Sequence, residues 1–193
     1  DNRATRMFVR CMNYALMQLG KKWQDGLFGD TESVAKLIDG ASASKRTPLM
    51  WAAIGLGSMI NHNKDNVELV AQAPTAKAML LKVVEMDAKH PPKDKALAAL
   101  PHVALGLLYT AAGAQLGGDA AKAEEHFKKA LALTDEKFLL ARVNYAKRVG
   151  VMTQNRTLFH DELVKVLQTD LAIWTDKRLA NAIAHPRARR HTT

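Results

Sequence analysis

Between Gly117 and Leu133 the chain reads Gly-Gly-Asp-Ala-Ala-Lys-Ala-Glu-Glu-His-Phe-Lys-Lys-Ala-Leu-Ala-Leu. Ala123, Phe127, Ala130 and Leu131 recur there at helical spacing and share one face. The two alanines let a neighbouring helix approach closely, and Phe127 fills the gap between them. On the wet side, Glu124 with Lys128 and Glu125 with Lys129 stand four residues apart, the spacing of stabilising helical ion pairs. A stripe of this kind predicts the second helix of a packed hairpin, one tile of a stack.

The same grammar recurs. Ala76, Leu80, Val83 and Val84 repeat it 47 residues earlier, and Phe159, Leu163, Val166 and Leu167 repeat it 36 residues later. Tetratricopeptide repeats recur at about 34 residues. First-helix signatures precede two of the copies: Trp51-Ala52-Ala53-Ile54-Gly55, and Leu105-Gly106 followed by Tyr109. In each, an aromatic residue and a glycine allow paired helices to pack closely. The excess length falls in connections such as Asn61 to Thr75 and Gln115 to Asp119. The expectation is therefore all-α: stacked antiparallel helical hairpins, degenerate tetratricopeptide-like repeats, in a single domain over residues 1–193.

About nine helices are expected, with ends uncertain by roughly 2 to 4 residues. They run over Arg3 to Leu19, Glu32 to Ile38, Pro48 to Ile60 with Thr47 as cap, and Pro74 to Lys89. Further on come Leu97 or Pro101 to Gln115, Asp119 to Thr134, Glu136 to Val149, Thr157 to Thr169, and Asp176 to Ala184. Pro186 is expected to stop the last one, because proline lacks a backbone donor and clashes with the preceding turn.

The chain begins at Asp1 and has no apolar run of roughly 18 residues, which predicts neither a spanning segment nor a signal peptide in the sequence as it stands and suggests a processed start. The single cysteine, Cys11, excludes an internal disulfide and reads as a small helix-buried hydrophobe. The net charge of +9 is compatible with nucleic acid, acidic lipid or an acidic protein. Its distribution argues against nucleic acid, since the basic residues are scattered and lack interleaved aromatic platforms for bases. Only Lys177, Arg178, Arg187, Arg189 and Arg190 form a dense cluster, read first as a solvated terminus and second as a protein or lipid contact.

No catalytic pattern emerges, and no cofactor or metal is expected. The seven histidines form no i,i+4 pair and no His-Glu-x-x-His arrangement, so metal ligation is disfavoured. The run His160-Asp161-Glu162 points its members in different directions, which predicts a solvated face. Gly55-Leu56-Gly57 and Gly117-Gly118 lack the strand and the Gly-Lys-Ser/Thr sequel of a phosphate loop.

What stands out is apolar surplus. Met50, Trp51, Ile54, Met59, Leu105, Leu108, Tyr109 and Tyr145 offer more soft bulk than a thin two-layer stack needs. Core is the default use of such residues. The sharper expectation is that they line a cavity for a small hydrophobic ligand, since Met and amphipathic aromatics suit irregular lipophilic guests.

A set of ordered motifs then resembles one family. It comprises Phe28-Gly29-Asp30, Pro48-Leu49-Met50-Trp51-Ala52-Ala53 with Gly55, Asn63-Lys64-Asp65, and Val70-Ala71-Gln72-Ala73-Pro74. The Gly-Gly-Asp hairpin follows, then Val143-Asn144-Tyr145-Ala146, Gln154-Asn155-Arg156 before Phe159, and Arg178-Leu179-Ala180-Asn181 before Arg187-Ala188. From about residue 20 to residue 190 this order resembles the T component of tripartite ATP-independent periplasmic (TRAP) transporters, TatT.

That resemblance implies a periplasmic lipoprotein, anchored through a cysteine upstream of Asp1. It also implies a homotrimer that encloses a hydrophobic pore and docks the transporter's substrate-binding subunit, with Arg178, Asn181 and Arg187 as partner-binding residues. The family's Tyr-Trp pair is Met50-Trp51 here, and its Gln-Arg or Gln-Lys before the final Arg-Ala is His185-Pro186, which would shorten the last helix. The competing reading is a general protein-interaction scaffold or assembly factor, in which a polar groove binds a peptide and the apolar side chains are only core.

Overall fold

Helix starts follow capping chemistry written locally in the chain. In the computed structural model, which describes residues 2–113 and 117–192, every regular element is helical. Asp30, Asn66, Asp94, Asp119 and Asn155 each accept, through the side chain, an N–H two or three residues further on. Each thus satisfies one of the donors that a first turn leaves unpaired. Residues 1–193, expected as one domain, divide into two compact units at residues 1–92 and 93–193.

The first unit contains α1 (Asn2–Leu19), α2 (Lys21–Gly26), α3 (Thr31–Asp39), α4 (Arg46–His62), α5 (Val67–Val70) and α6 (Ala73–Lys89). Helices α1 and α4 run antiparallel. At one end Asn63 Nδ2 donates to Thr5 Oγ1 at 3.3 Å, and at the other Lys45 Nζ donates to Leu19 O at 3.2 Å. Between these ends, a methyl group on Gly55 would lie 2.9 Å from the Met12 backbone nitrogen, so the two backbones meet only because residue 55 is glycine. Arg46 at the start of α4 forks onto Asp87 at the end of α6, with Nε and Nη2 donating at 2.8 and 2.7 Å, which makes this pair antiparallel too. Leu49, Met50, Leu56, Met79, Leu80 and Val83 close the core without exposure. Thr47 does not cap α4: a tight turn over Ala43–Lys45 feeds directly into the helix, which begins at Arg46 and takes Thr47 inside.

The second unit contains α7 (Lys95–Tyr109), α8 (Ala120–Leu133), α9 (Leu139–Tyr145, prolonged by a wider turn over Ala146–Gly150), α10 (Arg156–Gln168) and α11 (Arg178–Thr192). Helix α7 starts at Lys95, earlier than expected, because Asp94 caps it, and Pro101 sits buried inside. It ends at Tyr109, short of the expected Gln115: the Thr110 hydroxyl donates back to the Gly106 and Leu107 carbonyls at 2.8 and 3.2 Å, and residues 110–113 leave the helix. Asp119 N–H donates to Tyr109 O at 2.9 Å, which ties the start of α8 to the end of α7 and sets the two antiparallel. The expected stripe of α8 is buried as a block, with Ala123, Phe127 and Ala130 unexposed and Leu131 at 3%. Glu124 and Lys128 pair at 2.7 Å on its outer side. Helix α9 begins at Leu139 rather than Glu136, because Asp135 and Glu136 adopt φ of 50° and 63°, left-handed values that no helix accommodates.

Pro186 does not end the last helix. Helix α11 runs from Arg178 through to Thr192, with Pro186 on its exposed side. Ala184 and Ala188, on either side of the proline and four residues apart, are both fully buried in a cluster with Leu139, Val143, Leu163 and Val166. Packing on both sides of Pro186 outweighs the lost bond to the Ala182 carbonyl. The segment after Ala184 is therefore part of the fold and not a solvated tail.

Candidate functional site

The apolar surplus of α4 lies within the first unit. Met50 is unexposed and its sulfur receives Arg46 Nη1 at 3.3 Å, so it serves the α4–α6 seam. Trp51, next in sequence, points the other way and is 37% exposed. Ile54, one turn further, and Met59 are half-buried. Cys11, half-buried on α1, donates its thiol to the Trp51 carbonyl at 3.7 Å, and burial raises the thiol's pKa, which favours the protonated form.

In the second unit, Leu105 is unexposed, and Leu108 and Tyr109 are buried. Tyr109 stacks on His126, with ring centroids 5.7 Å apart and planes 9° from parallel, and Lys122 Nζ stands 5.7 Å from the centre of the same ring. Tyr145, 4% exposed, packs near Phe127 and donates its hydroxyl to Glu124 Oε1 at 2.8 Å. Burial first, and this bond second, push the Tyr145 hydroxyl well above the ordinary range, so it remains a donor. The eight predicted lining residues thus fall into two groups, Met50, Trp51, Ile54 and Met59 in one unit and Leu105, Leu108, Tyr109 and Tyr145 in the other.

Two buried polar arrangements escaped the sequence reading. His102 on α7 and His126 on α8 face each other with Nδ1 to Nδ1 at 2.9 Å. Burial, then repulsion from His126 and Lys129, lowers the His102 pKa to about 4, and burial lowers that of His126. Both rings are neutral near pH 7, one donating and one accepting. They lie 24 residues apart, so no motif scan pairs them. The second arrangement centres on Arg142, 7% exposed, which donates to Glu162 and Glu136 while Lys165 holds Glu162 at 2.6 Å. Glu162 is therefore buried and paired, not solvated; in the triplet His160-Asp161-Glu162 only the first two face water.

Of the three expected partner-binding residues, Arg178 and Arg187 stand exposed on α11. Asn181 does not. It is unexposed, accepts the Leu139 N–H at 3.0 Å and donates to the Lys137 carbonyl at 2.9 Å, so its side chain clasps α11 to the first turn of α9. Among the described residues there is no group of three or more His, Cys, Asp or Glu able to hold a metal ion, and no helix long and apolar enough to cross a membrane.

The family model of the TRAP transporter T-component matches residues 1–191. The chain belongs to that family. No curated protein gives a significant match. The match extends the likeness to α1, which the ordered motifs did not reach. In this T-component, an accessory of a transporter complex, Trp51 is one of several large apolar side chains left open to solvent, Tyr14, Met17, Val67 and Leu179 being more so, and the arginines of α11 stand exposed beside the last of these.

Proposed function

We propose that this T-component is a non-catalytic periplasmic accessory of a TRAP-type solute transporter that binds or passes a small hydrophobic ligand and docks the substrate-binding subunit. The supporting observation is Trp51. The Trp51 indole is 37% exposed, with half-buried Ile54 one turn away on the same helix, which puts aromatic and aliphatic surface side by side at the solvent boundary. A lipophilic carboxylate is the ligand class that fits, its chain lying against indole and aliphatic surface. Family membership supports the transporter setting, a lipid anchor upstream of Asp1 and a homotrimeric assembly as parts of the same reading.

Native mass spectrometry and tryptophan quenching with a fatty-acid-like probe test the ligand half. Saturable binding that weakens in Ile54→Trp and in Trp51→Ala is expected. Absence of binding to the wild-type chain removes the ligand from the proposal. Gel filtration with the purified substrate-binding subunit tests the docking half separately.

A further inference from the structure

Helix α11 buries one side and leaves the other with exposed aliphatic and cationic residues. Asn181, Ala184 and Ala188 face the core. Opposite them, at successive turns, stand Leu179 at 77% exposure, Ile183 at 40%, and the exposed Arg187 and Arg190. The stripe is apolar in its first half and cationic in its second. From Lys177 to Thr192 the chain carries five basic residues and no carboxylate, whereas residues 93–176 hold eleven basic and ten acidic ones. Of this unit's positive excess of six, four charges therefore stand on its last helix. Among the described residues, Arg178, Arg187 and Arg190 form no ion pair, although Lys177 just before them pairs with Asp94 and Arg142 with Glu162 and Glu136.

A C-terminal arginine complements the helix dipole, which accounts for Arg190 but for neither Leu179 nor Ile183. Two β- or γ-branched side chains exposed one turn apart, with arginines one and two turns beyond, match an apolar anchor and its electrostatic rim. We infer that the outer face of α11, centred on Leu179, Ile183, Arg187 and Arg190, is the docking surface for a protein that presents an apolar side chain beside a cluster of carboxylates. This inference rests on the docking half of the proposed function, and it assigns that role to one helix face. The apolar pair supplies the desolvated contact and the arginines supply orientation and encounter rate. Arginine suits the second task because its planar fork meets carboxylates bidentately.

The experiment measures binding of the full chain to the purified substrate-binding subunit by biolayer interferometry at low and moderate salt. Leu179→Asp/Ile183→Asp and, separately, Arg187→Glu/Arg190→Glu are compared with wild type, with circular dichroism confirming that each remains folded. Because all four positions are exposed, the fold should survive both changes. The apolar pair of changes is expected to weaken binding at least about tenfold through a faster off-rate. The charge reversal is expected to slow association about tenfold at low salt and to lose most of that effect at moderate salt. Wild-type affinity in both variants would overturn the assignment of the face while leaving docking intact. No binding of the wild-type chain would remove docking itself, and the inference with it. Co-sedimentation of the wild type with vesicles containing anionic phosphatidylglycerol, abolished by charge reversal while subunit binding persists, would reassign the face to a lipid surface and overturn the protein partner.

Discussion

Gly106 and Phe127 are shaped for each other: a methyl group on Gly106 would lie 2.7 Å from the Phe127 ring, and that ring is unexposed. The aromatic plug of α8 seats in a notch that α7 provides by omitting a side chain. Phe127→Ala is expected to cost about 3 to 5 kcal/mol, as truncation of a buried aromatic does. Gly106→Ala should cost about 1 to 3 kcal/mol by overpacking. Combining Gly106→Ala with Phe127→Ala should cost less than the two single changes together, since the new methyl occupies part of the vacated space. Urea denaturation measures all three, and strict additivity, or a loss below about 1 kcal/mol for Phe127→Ala, would show that the notch is not the organising contact.

The Asn181 clasp gives a second expectation. Asn181→Leu removes both amide bonds and leaves the Leu139 N–H only its direct bond to the Lys137 carbonyl at 3.1 Å. The penalty should be about 1 to 3 kcal/mol, the net worth of the two lost hydrogen bonds. A thermal midpoint unchanged within error would mean that water replaces the amide.

Pro186 supplies the third. It lies inside α11 on the exposed side, where it removes a donor from the Ala182 carbonyl. Pro186→Ala should stabilise the chain by about 1 to 2 kcal/mol, less than the roughly 3 kcal/mol propensity difference because proline also restricts the unfolded chain. Destabilisation on chemical denaturation would instead reveal that the ring itself is needed for packing.

The histidine pair predicts a pH dependence. His102 has a folded pKa of about 4 against an ordinary value of 6.5, with burial as the main cause. Between those values the unfolded chain binds more protons than the folded one, so stability rises with pH. The contribution is complete above about pH 6.5 and is lost as the pH falls toward 4. Burial depresses His126 as well, so it acts in the same direction. Thermal midpoints from pH 7 to pH 4 should therefore fall more steeply for the wild type than for His102→Gln, and parallel curves would refute the role of the pair.

What could be read from the residues in order was whatever depends on neighbours within two helical turns. The face formed by Ala123, Phe127, Ala130 and Leu131 is set by the helical period, and it is buried as a unit. The close approaches at Gly55 and Gly106 were legible because a glycine beside aromatic and aliphatic residues has few other uses in a helix interior. What the tertiary structure alone decided are pairings across long stretches of chain: His102 with His126, Arg142 with Glu162, and Asn181 with the turn before α9. Such contacts depend on how helices are placed in space, and spacing along the chain does not encode that. Pro186 shows the same division within one residue. Its local chemistry calls for a stop, yet the burial of Ala184 and Ala188 carries the helix through, because packing free energy summed over two turns exceeds the loss of one hydrogen bond.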